Sequence, residues 1–170
     1  MSHAIQLLDL SLTTWHITWG TYATRLHGGP RPTVDKQHNQ RGDKFISRNT
    51  VREAIAESTL SFSPVILSRE QRRLVESELP AICERGGWTY RIGAAGSDHV
   101  HLLCDVIPAV HGEKVRRLVK RWLGEELSVC WRLPEGATWW AEEGSNKVVH
   151  DESYLNNAYQ YILRQRVTPR

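Results

Sequence analysis

Cysteine is scarce in this chain: three residues, Cys83, Cys104 and Cys130, an odd number set in apolar segments. That excludes a disulfide framework, and the three read as reduced, buried small residues of a cytoplasmic protein. Long apolar runs are also missing, and nothing approaches the ~18 residues that a membrane span needs. Met1 to Leu12 lacks the basic start and continuous apolar middle of a secretory signal. No internal repeat and no low-complexity segment is present. Nor is charge of one sign in excess: 22 Lys and Arg against 19 Asp and Glu leave a formal +3. A polyanion partner therefore has to be read from where the charges sit, not from their sum.

What is present suits one domain over residues 1–170, long enough for a real core and too short for two comfortable ones. Hydrophobic residues make up 40% and charged residues 24%, the balance of a globular protein. Lys114, Arg116, Arg117, Lys120 and Arg121 crowd one segment against only Glu113, and Arg164, Arg166 and Arg170 cluster near the end. Such local basic density fits nucleic acid, and it equally fits an ordinary solvated helix face.

Thr13 to Tyr22, rich in Thr, Trp and Ile, predicts the first strand. Arg25 to Lys44, with Gly28-Gly29-Pro30 and Pro32, reads as a long loop, and Asn49 to Ser58 as a short helix capped by Asn49 or Thr50. Ser68 with Gln71 forms a capping box, after which Leu74, Val75, Leu79, Ile82 and Cys83 recur at helical spacing until Gly86-Gly87. Pro80 within that run is expected to kink or shorten the helix. Trp88 to Ala95, a Gly96-Ser97 turn and His99 to Ile107 predict an antiparallel hairpin. Gly112 to Trp131 is a long amphipathic helix, with Val115, Leu118, Val119, Trp122, Leu123 and Cys130 on one side. Lys114, Arg117 and Arg121 fall on the opposite side. Thr138 to His150 reads as strand, Gly144-Ser145 turn, strand, and Asp151 caps a last helix to about Gln165. This order is the split βαβ, or ferredoxin-like (RRM-like), α+β arrangement with a central antiparallel sheet. It carries an insertion after the first strand, spanning about residues 25–63, and an extra C-terminal helix. The strand that carries His99 and His101 is central in that topology.

Strand side chains alternate, so His99 and His101 share one face of Asp98-His99-Val100-His101-Leu102-Leu103, while Val100, Leu102 and Cys104 take the other. Two imidazoles buried without partners would cost about 1–3 kcal/mol each, and a metal is one way to satisfy both. A His-His-Cys zinc site is disfavoured, because Cys104 points the other way. On the last helix Leu155, Ala158, Tyr159, Ile162 and Leu163 form the apolar stripe. Tyr161 and Gln165 sit about 90–130° from its centre, with Tyr154 on the same side. Tyr161 is thus displayed, either as a half-exposed aromatic or as a functional phenol.

Together these residues resemble a known pattern. Asp98-His99-Val100-His101-Leu102-Leu103 is similar to the His-hydrophobic-His motif of HUH endonucleases. Tyr161-Ile162-Leu163-Arg164-Gln165 is similar to the Tyr-x-x-x-Gln signature of their single-tyrosine branch, the small insertion-sequence transposases and REP-associated tyrosine transposases. Thr14 to Thr21 and Trp140 to Ser145 extend the resemblance over roughly residues 12 to 166, although the 25–63 stretch is longer than the minimal pattern. The resemblance implies His99, His101 and Gln165 as metal ligands for Mg²⁺ or Mn²⁺. It implies Tyr161 as the nucleophile that forms a 5′-phosphotyrosine with single-stranded or hairpin DNA and frees a 3′-hydroxyl. It also implies a prokaryotic, nucleoid-associated setting and a possible homodimer.

The chemistry of these groups is consistent with such roles. A tyrosine of ordinary acidity is about one part in a thousand ionised at pH 7, a cost of roughly 4 kcal/mol without help. Charge neutralisation on the phosphate by a metal lowers that demand. Two imidazoles are softer ligands than magnesium prefers, so manganese should be accepted at least as well. Lys114, Arg117 and Arg121 could track a DNA backbone, and an exposed Trp139 or Trp140 could stack bases. Three rivals remain: a non-catalytic nucleic-acid-binding module on the same frame, a domesticated relative that nicks DNA, and a metal hydrolase without a covalent intermediate. The first would want aromatic residues where the histidines stand.

Overall fold

The computed structural model describes residues 5–24 and 49–167, so the long loop expected at Arg25 to Lys44 and most of the 25–63 stretch lie outside it. Strand β1 (Thr13–Thr21) alternates Trp15, Ile17 and Trp19 with Thr14, His16 and Thr18. Helix α1 (Thr50–Ser58) is capped by Asn49, whose Oδ1 accepts from the Val51 and Arg52 amides at 3.1 Å, and it buries none of its residues. Helix α2 (Arg69–Gly86) begins with the expected reciprocal bonds between Ser68 and Gln71 and ends at Gly87. It is not shortened at Pro80. That residue lies on the exposed side of the helix, away from the core residues Val75, Leu79 and Ile82.

Strands β2 (Thr89–Ala95) and β3 (His99–Val106) form the expected hairpin, and the Gly96 amide donates to the His99 carbonyl at 2.8 Å. Helix α3 (Gly112–Cys130) buries Val115, Val119, Leu123 and Leu127. Its last three residues are all exposed, so Cys130 is not buried as its apolar surroundings suggested. Strand β4 (Trp140–Val148) corrects another expectation: Gly144-Ser145 is not a turn. One continuous strand runs along β1, with Gly144 opposite Trp19 and Ser145 opposite Thr18. A Cβ at Gly144 would stand 2.5 Å from the Thr18 carbonyl oxygen and 2.8 Å from Cδ of Arg116, so glycine serves close approach here. Helix α4 (Glu152–Gln165) is capped by Asp151, whose Oδ1 accepts from the Tyr154 amide at 2.7 Å.

The four strands form one antiparallel sheet in the order β2-β3-β1-β4, the ferredoxin-like arrangement, with β3 inside the sheet. Helices α2 and α3 cover one face over Ile17, Trp19, Val100, Leu102 and Cys104. Helix α4 packs on the other face against β2 and β3. There Leu155, Ala158, Tyr159 and Ile162 meet Ile92, Ala94 and Leu103. No helix among the described residues is long and apolar enough to cross a membrane.

Candidate active site

Alternation along β3 sends His99 and His101 to the face that carries α4, and alternation along β1 sends Thr14, His16 and Thr18 to the same face. Helix α4 docks by its apolar stripe at one end of this face, which leaves Tyr161 51% exposed above the histidines. The rings of His101 and Tyr161 lie edge to face with centroids 5.4 Å apart, and those of His99 and His101 do so at 4.9 Å. Gln165, one turn further, places Oε1 3.1 Å from Nε2 of His99. Residues from β3 and α4 of a single chain therefore meet in one place.

Each imidazole is held from behind. Nδ1 of His99 lies 2.7 Å from Oδ1 of the buried Asp98, and a carboxylate only accepts, so Nδ1 carries the proton. Gly96 makes room for this ring: a Cβ there would fall 2.7 Å from His99 Cε1. With Nδ1 protonated, Nε2 of a neutral His99 presents a lone pair to the lone pairs of Gln165 Oε1. Three arrangements relieve that opposition: a doubly protonated ring, a reversed amide, or a cation between the two atoms. Nδ1 of His101 lies 2.9 Å from Thr18 Oγ1 and 3.2 Å from His16 Nε2. His16 in turn reaches the Tyr154 hydroxyl through Nδ1 at 3.0 Å. Burial pushes His16 down to about 4, with the charge of Lys147 on β4 adding to it, so this ring is neutral at pH 7.

Among the described residues, no group of three or more His, Cys, Asp or Glu side chains is arranged to hold a metal ion. The candidate set has a different composition: two imidazoles and one amide oxygen. It fits a divalent cation on the chemistry of its donors, since His99 Nε2 and Gln165 Oε1 already face one another and Asp98 fixes the tautomer such a role needs.

Other residues singled out in the sequence lie elsewhere. Lys114, Arg117 and Arg121 are exposed on α3, across the sheet from the histidines, and Arg121 pairs with Glu125 at 3.0 Å. Lys120 is turned from solvent and donates to the Ala141 and Glu142 carbonyls of β4; burial, with the charge of Arg116, brings it down to about 8. Trp139 and Trp140 are buried rather than exposed for stacking. Trp140 Nε1 donates to the Lys120 carbonyl at 2.8 Å, and Trp139 Nε1 to Ser128 Oγ at 2.9 Å. An open groove of about 1050 Å³ lined by Tyr22, Phe62, Trp131 and Trp139 contains none of the histidine cluster. His16, Thr18 and Asp98 join the site although neither sequence motif gives them a role. The signal was available in β1, where Thr14, His16 and Thr18 alternate with Trp15, Ile17 and Trp19 and so mark a polar face.

No family model matches this chain, and no curated protein matches it. Among solved structures it is similar to one described as "a putative transposase" from Deinococcus radiodurans R1, with 14% identity and a TM-score of 0.47. That match covers 99% of this chain and 100% of the other.

Proposed function

We propose that this chain is a metal-dependent, single-tyrosine DNA endonuclease and strand transferase of the transposase type. Its substrate is single-stranded or hairpin DNA. The reading is carried by one observation: the phenol-bearing turn of α4 and its amide lie against the paired imidazoles of β3 within one chain.

In this reading the Tyr161 oxygen attacks the phosphorus of a backbone phosphodiester and loses its proton. The bond from phosphorus to the 3′-oxygen breaks, and that oxygen leaves as a 3′-hydroxyl. The DNA 5′ end stays joined to Tyr161 as a phosphotyrosine. Covalent attachment keeps the phosphodiester energy, so a 3′-hydroxyl attacking the same phosphorus reseals or transfers the strand without ATP. His99, His101 and Gln165 would hold Mg²⁺ or Mn²⁺, which when bound neutralises charge on a non-bridging phosphate oxygen. Asp98 orients His99 for that task. The exposure of Tyr161 gives a strand access to the phenol, and Lys147 brings a positive charge to the same face. Lys114, Arg117 and Arg121, on the far face, serve long-range attraction of a polyanion rather than holding the strand at the phenol. A site assembled within one chain needs no second copy for chemistry.

The test is trapping. Incubated with single-stranded or hairpin oligonucleotides and Mn²⁺, the protein should give a covalent adduct on a denaturing gel, and Tyr161→Phe should give none. Adducts that persist in Tyr161→Phe would move the nucleophile elsewhere, first to Tyr154. Binding without cleavage of any strand, with or without metal, would leave a non-catalytic nucleic-acid module.

A further inference from the structure

The polar cluster extends further along β1 than the proposed chemistry uses. His16 stands opposite Leu103 in the β1–β3 register, one diagonal step from His101. Its Nε2 is 3.2 Å from His101 Nδ1, the rings are 5.4 Å apart, and its Nδ1 is 3.0 Å from the Tyr154 hydroxyl. We infer that His16, backed by Tyr154, is a positioning residue that fixes His101 in the tautomer protonated on Nδ1, leaving Nε2 to bind a divalent cation. This rests on the reading of His101 as a ligand.

Two nitrogens 3.2 Å apart share a single proton, so one ring donates and the other accepts. If His16 donated, the Tyr154 hydroxyl would donate to His16 Nδ1, and the Thr18 hydroxyl, 2.9 Å from His101 Nδ1, would share that lone pair or turn its proton elsewhere. The proton of His101 would then sit on Nε2 and block it. If His101 donates, one N–H is shared between His16 Nε2 and Thr18 Oγ1, a common three-centre geometry. The proton of His16 then sits on Nδ1 and goes to the Tyr154 oxygen, whose own O–H can reach water because that side chain is 37% exposed. In this second arrangement His101 Nε2 carries the lone pair that a ligand needs, and that is what sets it apart from the first. The two imidazoles of β3 are then treated alike: Asp98 takes the Nδ1 proton of His99, and the His16–Tyr154 pair takes that of His101. Outer partners that hold an imidazole in its ligating tautomer are worth about 10–100-fold in metal affinity.

Two measurements on the full chain without DNA test this. Nitrogen NMR of the metal-free protein reads the His101 tautomer, and Mn²⁺ titration followed by electron paramagnetic resonance reads affinity. His16→Phe should shift His101 towards the Nε2-protonated form and weaken Mn²⁺ binding by about 10–100-fold. His16→Gln, whose amide oxygen takes the place of Nε2, should restore most of both. Tyr154→Phe, at a half-exposed position that leaves the fold intact, should weaken binding only a few-fold. An unchanged His101 tautomer in His16→Phe, or Mn²⁺ affinity equal to wild type, overturns the role of His16. Were His16→Phe not to fold, Tyr154→Phe and His16→Gln would decide it: an unchanged Mn²⁺ affinity in the former or an affinity far below wild type in the latter counts against it. Failure of the wild-type chain to take up Mn²⁺ would instead bring down the metal reading, and the tautomer measurement would still decide whether His16 orients His101.

Discussion

Strands β1 and β3 send alternate residues to opposite faces of the sheet, and the two faces carry different chemistry. Towards α2 and α3 stand Ile17, Trp19, Val100, Leu102, Cys104 and Val106, all buried in the larger core. Towards α4 the same strands present Thr14, His16, Thr18, His99 and His101, and the apolar residues retreat to one end around Leu103 and Ile92. The first face is what a sheet needs in order to fold: apolar area removed from water at roughly 25 cal/mol per Å². The second is not built for stability. A buried imidazole gains nothing over leucine and must be given hydrogen-bond partners, as His101 is by Thr18 and His16. Helix α4 exploits the difference. Its stripe grips the apolar end, and its flank holds Tyr161 and Gln165 over the polar end.

The comparison breaks most sharply at Tyr161. Tyr161→Phe removes one hydroxyl from an exposed side chain, so stability should move by no more than about 0.5 kcal/mol while covalent DNA adducts vanish. A large drop in denaturant midpoint would mean that this residue belongs to the structural face after all. Leu102→Ala is the opposite case: a fully buried residue whose truncation should cost about 2–5 kcal/mol in guanidinium or urea unfolding. The surviving folded fraction should still form adducts, and their loss per folded molecule would show that the two faces are not separable.

Acid should weaken the polar face alone. His16 titrates at about 4 when folded against 6.5 in an unfolded chain, because burial, aided by Lys147, disfavours its charged form. The unfolded chain therefore binds a proton that the folded one refuses. Stability is unaffected above pH 6.5 and falls as pH drops towards 4, by about 3 kcal/mol in total. Urea midpoints at pH 7 and pH 4.5 should diverge in the wild type, and His16→Gln should lose most of that slope. Equal slopes in the two proteins would assign the acid sensitivity to other groups. The smallest effect is expected on α3, across the sheet. Replacing Lys114, Arg117 and Arg121 together by Ala should weaken DNA binding a few-fold at low salt and less at high salt. Adduct yield at saturating DNA should stay unchanged; a fall would put the DNA path on the face opposite Tyr161.

Local chemistry was the most legible part of this protein. Ser68 with Gln71, Asn49 and Asp151 each start a helix by satisfying amides within three residues, so their meaning does not depend on distant neighbours. Gly144, Pro80, Trp139 and Cys130 resisted the same treatment. Gly144 permits contact with β1 and α3, Pro80 lies on the exposed side of its helix, Trp139 is covered by Ser128 and its surroundings, and Cys130 faces solvent. Each depends on what lies opposite.

Period-two alternation in β1 and β3, and the angular offset of Tyr161 and Gln165 from the stripe of α4, are properties of the chain itself. They determined that two histidines would share a face and that a phenol and an amide would share another. Only the tertiary structure decided that these faces meet. His99 and Gln165 are 66 positions apart, and no local bond joins them. Their approach is set by where the α4 stripe finds Ile92, Ala94 and Leu103, by Gly96 giving the His99 ring its space, and by the pairing of β1 with β3 that brings Thr18 and His16 behind His101.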